Sequence, residues 1–135
     1  MADFHLQIAT ADGLLYDGPA ERVVVRTTEG DVGLLKGHID YVAALKDVSE
    51  LRLTVDEKTR IAAVSGGFVS VSKEITYISA ITLEWADEID RDRAQRAKET
   101  AEKRLQDKKQ EDLDYRLAEM KLKRALNRIN VADKK

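Results

Sequence analysis

The period of the hydrophobic pattern changes once along this chain, at Trp85, and that change decides what the chain can fold into. Upstream, apolar residues alternate at period two in short segments, the spacing at which successive side chains of a strand face opposite sides. Downstream they recur every three or four residues, the spacing of one helix face. Phe4-His5-Leu6-Gln7-Ile8-Ala9 opens the first pattern, and Ala11-Asp12-Gly13 turns the chain. Glu21 to Thr28 holds Val23-Val24-Val25, a β-branched run able to bury both faces. Glu29-Gly30-Asp31 reads as a turn and Val32 to Leu35 as another strand. Tyr41 to Leu45, Ser49 to Val55 and Thr59 to Val64 follow, with Asp56-Glu57-Lys58 as a hairpin loop. Phe68 to Val71 and Ile75 to Ile78 pair across Ser72-Lys73-Glu74. Ser65-Gly66-Gly67 between two strands reads as a bulge or tight turn needing positive φ. Short strands at even spacing, about ten in number, predict an N-terminal β-sandwich over residues 1–84.

Residues 85–135 are expected to form an antiparallel two-helix hairpin. The only proline, Pro19, lies far upstream, so nothing in the tail breaks a helix. Asp90 caps a first helix running to about Gln106, with Ala94, Ala97, Ala101 and Leu105 as its apolar stripe. Asp107 to Asp112 suits a short turn. A second helix from about Leu113 to Ile129 places Ala118, Leu122, Ala125 and Ile129 on one face at spacings of 4, 3 and 4. Alanines let the two backbones approach closely. Buried methyl groups yield roughly 0.8 kcal/mol each, so the contact amounts to a few kcal/mol, opposed by ordering entropy. Such a hairpin is marginal, and a ligand or partner of modest differential affinity can switch it.

Charge separates along the same boundary. Residues 1–84 hold 8 basic and 13 acidic side chains and residues 85–135 hold 15 and 12. An acidic domain therefore carries a mildly basic tail, whose partners are expected to be anionic. Cysteine is absent, which removes disulfides, thiolate metal sites and a cysteine nucleophile. No apolar run approaches the roughly 20 residues that cross a bilayer, and the first residues lack a signal-peptide pattern. Membrane association is thus expected only through partner subunits. Neither His5 nor His38 has a Ser or a second His at useful spacing, so no metal site or catalytic triad is expected. The basic residues of the tail alternate with acids, and Trp85 and Tyr115 are its only aromatics, a poor match to a nucleic-acid surface.

One cluster carries chemistry. Arg124 and Arg128 stand one helical turn apart on the same side of the second helix. An antiparallel hairpin brings them beside Asp90 and Arg93 at the start of the first. Converging guanidiniums with few apolar neighbours suit an anion, with Asp90 and Glu84 available for hydrogen bonds to a ribose or base. A salt-bridged, solvated face would show the same residues. No glycine-rich loop ending in Lys-Ser or Lys-Thr exists in the chain.

Four ordered motifs resemble the epsilon subunit of bacterial F-type ATP synthases over the whole chain. They are Gly30-Asp31-Val32-Gly33-Leu34-Leu35-Lys36-Gly37-His38, Ala63-Val64-Ser65-Gly66-Gly67-Phe68, Ile89-Asp90-Arg91-Asp92-Arg93-Ala94 and Lys123-Arg124-Ala125-Leu126-Asn127-Arg128. Lys36 departs from the proline that the family often has before Gly-His. The resemblance implies a rotor subunit with no active site of its own, lying peripherally at the cytoplasmic face of the bacterial membrane. Its sandwich would pack on the gamma subunit and the c-ring. Its hairpin would be either folded or extended towards the alpha and beta subunits, where it obstructs rotation in the hydrolytic direction. In members that bind ATP as a regulatory ligand, with or without Mg²⁺, the nucleotide favours the folded form. Carried across residue by residue, the implied ATP site is Glu84, Ile89, Asp90, Arg93, Ala94, Arg124 and Arg128. A further arginine of nucleotide-binding members falls at Thr100. A purely structural coupling subunit without nucleotide affinity is the alternative.

Overall fold

The computed structural model describes residues 3–107 and 113–134. Eight strands come first: β1 (Phe4–Thr10), β2 (Gly13–Ala20), β3 (Arg22–Thr27), β4 (Gly30–Leu34), β5 (Tyr41–Ala44), β6 (Ser49–Val55), β7 (Lys58–Val71) and β8 (Thr76–Trp85). A single 3-10 turn, Ala86–Glu88, leads into helices α1 (Arg91–Asp107) and α2 (Leu113–Ala132). The chain divides into two compact units, one ending at Trp85 and the other beginning at Ala86.

The strands hydrogen-bond in the order β2-β1-β8-β7-β6-β3-β4, with β5 joining along β7. The sheet folds over as a sandwich around Leu6, Ile8, Val23, Leu34, Leu51, Leu53, Val69 and Ile78, all buried. Every pairing is antiparallel except β1 with β8. Asp56 and Glu57 take φ values of 51° and 66° between β6 and β7, the left-handed pair that a two-residue hairpin needs. The buried carboxylate of Glu21 holds this turn, its Oε1 accepting a hydrogen bond from the Glu57 amide at 3.2 Å.

The strand count is eight among the described residues, not about ten. The Gly66-Gly67 step does have positive φ, 60° and 111°, but it does not end a strand. β7 runs through it for 14 residues and exchanges neighbours there. Before the glycines it pairs with β6 as far as Ser49↔Val64; after them it pairs with β5 from Ala44↔Phe68. The kinked backbone satisfies itself in between, with Leu45 N–H donating to Gly67 O at 2.9 Å and Gly66 N–H to Lys46 O at 3.2 Å.

In the helical unit α1 and α2 lie antiparallel. α2 runs to Ala132, three residues past the expected Ile129. Its stripe is as expected: Ala118 and Ala125 are buried, Leu122 and Ile129 half-buried. On α1, Ala94 and Ala101 are buried and Leu105 half-buried, but Ala97 is exposed and Lys98 takes its place. Spacings of 4, 3 and 4 through residues 94, 98, 101 and 105 track the helical repeat, whereas Ala97 falls some 70° off that line. Lys98 covers the seam with its methylene stem, its ammonium lying 3.7 Å from Glu102. Within the expected turn, Asp107 ends α1 and residues 108–112 lie outside the described residues.

Candidate functional site

Six of the seven expected site residues lie in the helical unit. Glu84 does not: it sits on β8 opposite Ala63, half-buried within the β unit.

Ile89, Asp90, Arg93 and Ala94 are explained first by how α1 begins. Asp90 is its N-cap. The Oδ1 accepts a hydrogen bond from the Arg93 amide at 3.0 Å, and the Asp90 carbonyl accepts the first helical bond from Ala94 N–H at 3.0 Å. Ile89 and Ala94, both buried, occupy the flanking positions of a hydrophobic staple. Three residues of the Ile-Asp-x-x-Arg-Ala motif thus build the helix start. The Arg93 side chain takes no part in the helix start, and it is exposed. Replacing Asp90 with Ala is expected to cost about 1 kcal/mol of helical stability. The check is a lowered thermal midpoint by circular dichroism that Asp90→Asn largely avoids.

Helical periodicity places the late arginines relative to Arg93. Measured from the buried facing stripes at about 100° per residue, Arg93 lies about 110° around α1, and Arg124 and Arg128 lie about 130° and 90° around α2, all in the same sense. For antiparallel helices the same sense means the same edge of the hairpin. Arg91 and Asp133 provide an internal check. Both fall about 50° in the opposite sense, and they do meet: Arg91 Nε donates to Asp133 Oδ1 at 2.8 Å and Nη2 to Oδ2 at 3.5 Å. Matching heights from that contact, Arg128 is displaced along the axis from Arg93 by about 5 Å and Arg124 by about 10 Å. Gaps of this size lie within the reach of extended guanidinium side chains.

The commitments of these arginines differ. Arg124, like Arg93, is exposed, and among the described residues neither side chain is held by a hydrogen bond or ion pair. Arg128 is half-buried and already has polar contacts of its own. Thr100 is also exposed, at about 130° in the same sense, so the edge carries a short neutral side chain level with Arg124.

On the opposite edge, the hydrogen bond from Arg91 holds the Asp133 carboxyl below the ordinary carboxylate value, against a smaller opposing effect of burial. A carboxylate depressed in the folded state stabilises it above the ordinary value and loses that contribution as pH falls through the lower, folded one. The thermal midpoint of the wild type should therefore exceed that of Asp133→Asn by a constant margin from neutrality to about pH 5 and lose it below. A margin independent of pH down to strong acid would contradict the pairing.

The histidines have other work. His5 Nε2 meets Asp17 Oδ1 at 2.5 Å, and His38 Nδ1 lies 2.8 Å from the Ile39 carbonyl. Both border a cleft of about 530 Å³ that also involves Lys36, Asp40 and Lys73. Among the described residues, no three His, Asp or Glu side chains gather as a metal site would need.

Comparison with known proteins decides the family. Residues 3–86 match the family model for the ATP synthase delta/epsilon chain β-sandwich domain, and residues 87–133 match that for its long α-helix domain. This chain belongs to the ATP synthase epsilon-chain family. An ATP synthase epsilon chain of Halalkalibacterium halodurans is 45% identical over 132 residues, covering 98% of each chain. One of Ruminococcus albus is 44% identical over 137 residues, covering both chains completely. Among solved structures, a chain of the Euglena gracilis mitochondrial ATP synthase superposes with a TM-score of 0.79 at 25% identity, covering 94% of this chain and 79% of that one. A chain of the Tetrahymena thermophila mitochondrial ATP synthase central stalk and c-ring shares the fold, with a TM-score of 0.56 at 15% identity, covering 98% and 96%. Membership makes the chain a subunit of ATP synthase. No described helix is long and apolar enough to cross a membrane.

Proposed function

We propose that the arginine edge of the hairpin binds ATP and that the bound nucleotide favours the closed hairpin. The chain then acts as an ATP-responsive brake on hydrolysis within a rotor, contributing no active site of its own. The observation that carries this reading is the placement of Arg93, Arg124 and Arg128 on one edge, two of them uncommitted. Charge-assisted hydrogen bonds to phosphate are worth roughly 1.5–3 kcal/mol each. Two or three of them exceed what a seam of alanine methyls supplies, so ligand and packing together hold the hairpin shut. Any Mg²⁺ would then enter with the phosphates. Asp90 is occupied with its cap but keeps a second oxygen for a ribose hydroxyl.

The sandwich supplies the second half of the reading. Val42 and Ile81 are 72% and 66% exposed, and Phe68 stands between their strands, its ring 6.1 Å from that of Tyr77. Ala44 lies opposite Phe68, and Phe68 opposite Ser79, so β5, β7 and β8 share one outward apolar face. Exposed apolar surface of this kind is suited to a protein partner. In our reading this face and the neighbouring loops dock on the gamma subunit and the c-ring, at the cytoplasmic side of the membrane. When the hairpin opens, the basic α2 reaches the alpha and beta subunits. Isothermal titration of the full chain with Mg-ATP tests the nucleotide site. Saturable heat and a raised thermal midpoint support it; neither signal at millimolar nucleotide leaves a purely structural coupling subunit.

A further inference from the structure

We propose that Arg91 and Asp133 are a latch that holds the hairpin closed when no ligand is bound, on the edge opposite the three arginines. The contact is a two-armed fork between residues 42 positions apart, at 2.8 and 3.5 Å. It joins the helix ends that lie away from the α1–α2 connection: Arg91 is the first residue of α1, and Asp133 follows the last residue of α2. Splaying the hairpin separates these ends furthest, so a bond there opposes opening from its first step. The carboxylate is presented by a fixed backbone, since Asp133 N–H donates to the Ile129 carbonyl at 3.0 Å.

The helix ends strengthen the case. A cation at a helix N-terminus and an anion at a helix C-terminus each oppose the macrodipole. Arg91 and Asp133 sit at those two unfavourable places. In the closed antiparallel pair, each lies instead beside the neighbouring helix end of opposite partial charge. Closure thus adds to each an attraction that offsets the repulsion from its own helix end, and opening removes both attractions together. Because the latch and the arginine edge lie on opposite sides of the seam, an anion bound by Arg93, Arg124 and Arg128 does not compete for Asp133. The two devices add, with the latch setting the resting population that a ligand then shifts. This part rests on the reading that the hairpin opens, but not on nucleotide binding.

Both partners are about half exposed, so the effect is modest and screened by salt, roughly two- to fivefold in the opening equilibrium. The test uses the full chain without nucleotide. The absence of native cysteine allows spin labels at Arg96→Cys and Lys123→Cys, both on outward faces. At low salt, Arg91→Gln and Asp133→Asn should each raise the long-distance population two- to fivefold, the double variant should add nothing beyond either single change, and about 1 M NaCl should erase the differences. Unchanged distances in both single variants, effects that simply add, or effects that survive high salt overturn the latch. A failed ATP titration leaves it standing, whereas a failed cycle leaves the nucleotide site standing.

Discussion

Arg93→Ala and Arg124→Ala are each expected to weaken Mg-ATP binding to the isolated chain by about ten- to a hundredfold, with Arg96→Ala leaving it unchanged. The magnitude is that of one charge-assisted hydrogen bond to phosphate, roughly 1.5–3 kcal/mol. The contrast comes from helix geometry. Arg93 and Arg96 are near neighbours on α1, equally charged and both exposed, but at about 100° per residue Arg96 points almost directly away from α2 while Arg93 lies on the edge shared with Arg124. General electrostatic attraction would penalise the three losses alike. Alanine is a better helix former than arginine, so lost helicity does not explain a weakened site, and circular dichroism verifies this. Titration calorimetry on the four chains measures it. Equal affinities for Arg93→Ala and Arg96→Ala would contradict the arginine edge.

Gly67→Ala should destabilise the sandwich by several kcal/mol, whereas Gly33→Ala should cost little. At Gly67 an added Cβ would stand 1.9 Å from the Ser79 carbonyl oxygen and 2.8 Å from the Ala80 Cα, and the residue holds φ at +111°. Both neighbours are backbone of β8, so relief means separating β7 from β8 where β7 also hands over from β6 to β5. Gly33 has no atom within 4 Å of the corresponding position and no positive φ. Against a total stability of roughly 5–15 kcal/mol for a domain of this kind, the Gly67 loss approaches unfolding. Urea titration followed by Trp85 fluorescence reads both variants. Matching midpoints would show that β8 yields there easily.

Those glycines also mark where sequence reasoning reached and where it stopped. Alternation located β1, β3, β5, β6 and the start of β8, because a half-buried strand imprints its period on residues such as Leu6 and Ile8. The Asp90 cap and the α2 stripe were legible for the same reason: their causes lie within one or two turns. β2 was not read as a strand. It contains Gly18 and Pro19 and exposes Leu14 and Leu15, which is tolerable because β2 is an edge strand. The double glycine resembled a break because its need for positive φ is local, while its role, moving β7 between two neighbours, depends on strands far away in sequence. Ala97 lies off the seam although its sequence gives no sign of it, because alanine suits a seam equally well at spacing three or four. Lys98, a charged residue, gave no sign that its stem would fill the position.

The proposed site residues divide along the same line. Arg93, Arg124 and Arg128 were recognisable from helical spacing, and the antiparallel pairing places them on one edge as that spacing implies. The capping role of Asp90 is legible in the sequence, whereas the staple that Ile89 and Ala94 form beside it shows only in their burial. The meeting of Arg91 with Asp133 had no local signature, since it depends on the register between two helices. The short neutral Thr100 within an otherwise cationic edge was visible from the start, and its position makes Thr100→Arg a natural gain-of-affinity variant.

The central claim is that a nucleotide closes the hairpin, and the spin-label pair at positions 96 and 123 reads it directly. With saturating Mg-ATP the account predicts one narrow, short distance, replacing a distribution that contains a longer component without nucleotide. The same change should fail to appear when Arg93 and Arg124 are both alanine. Superimposable distributions with and without Mg-ATP would contradict it.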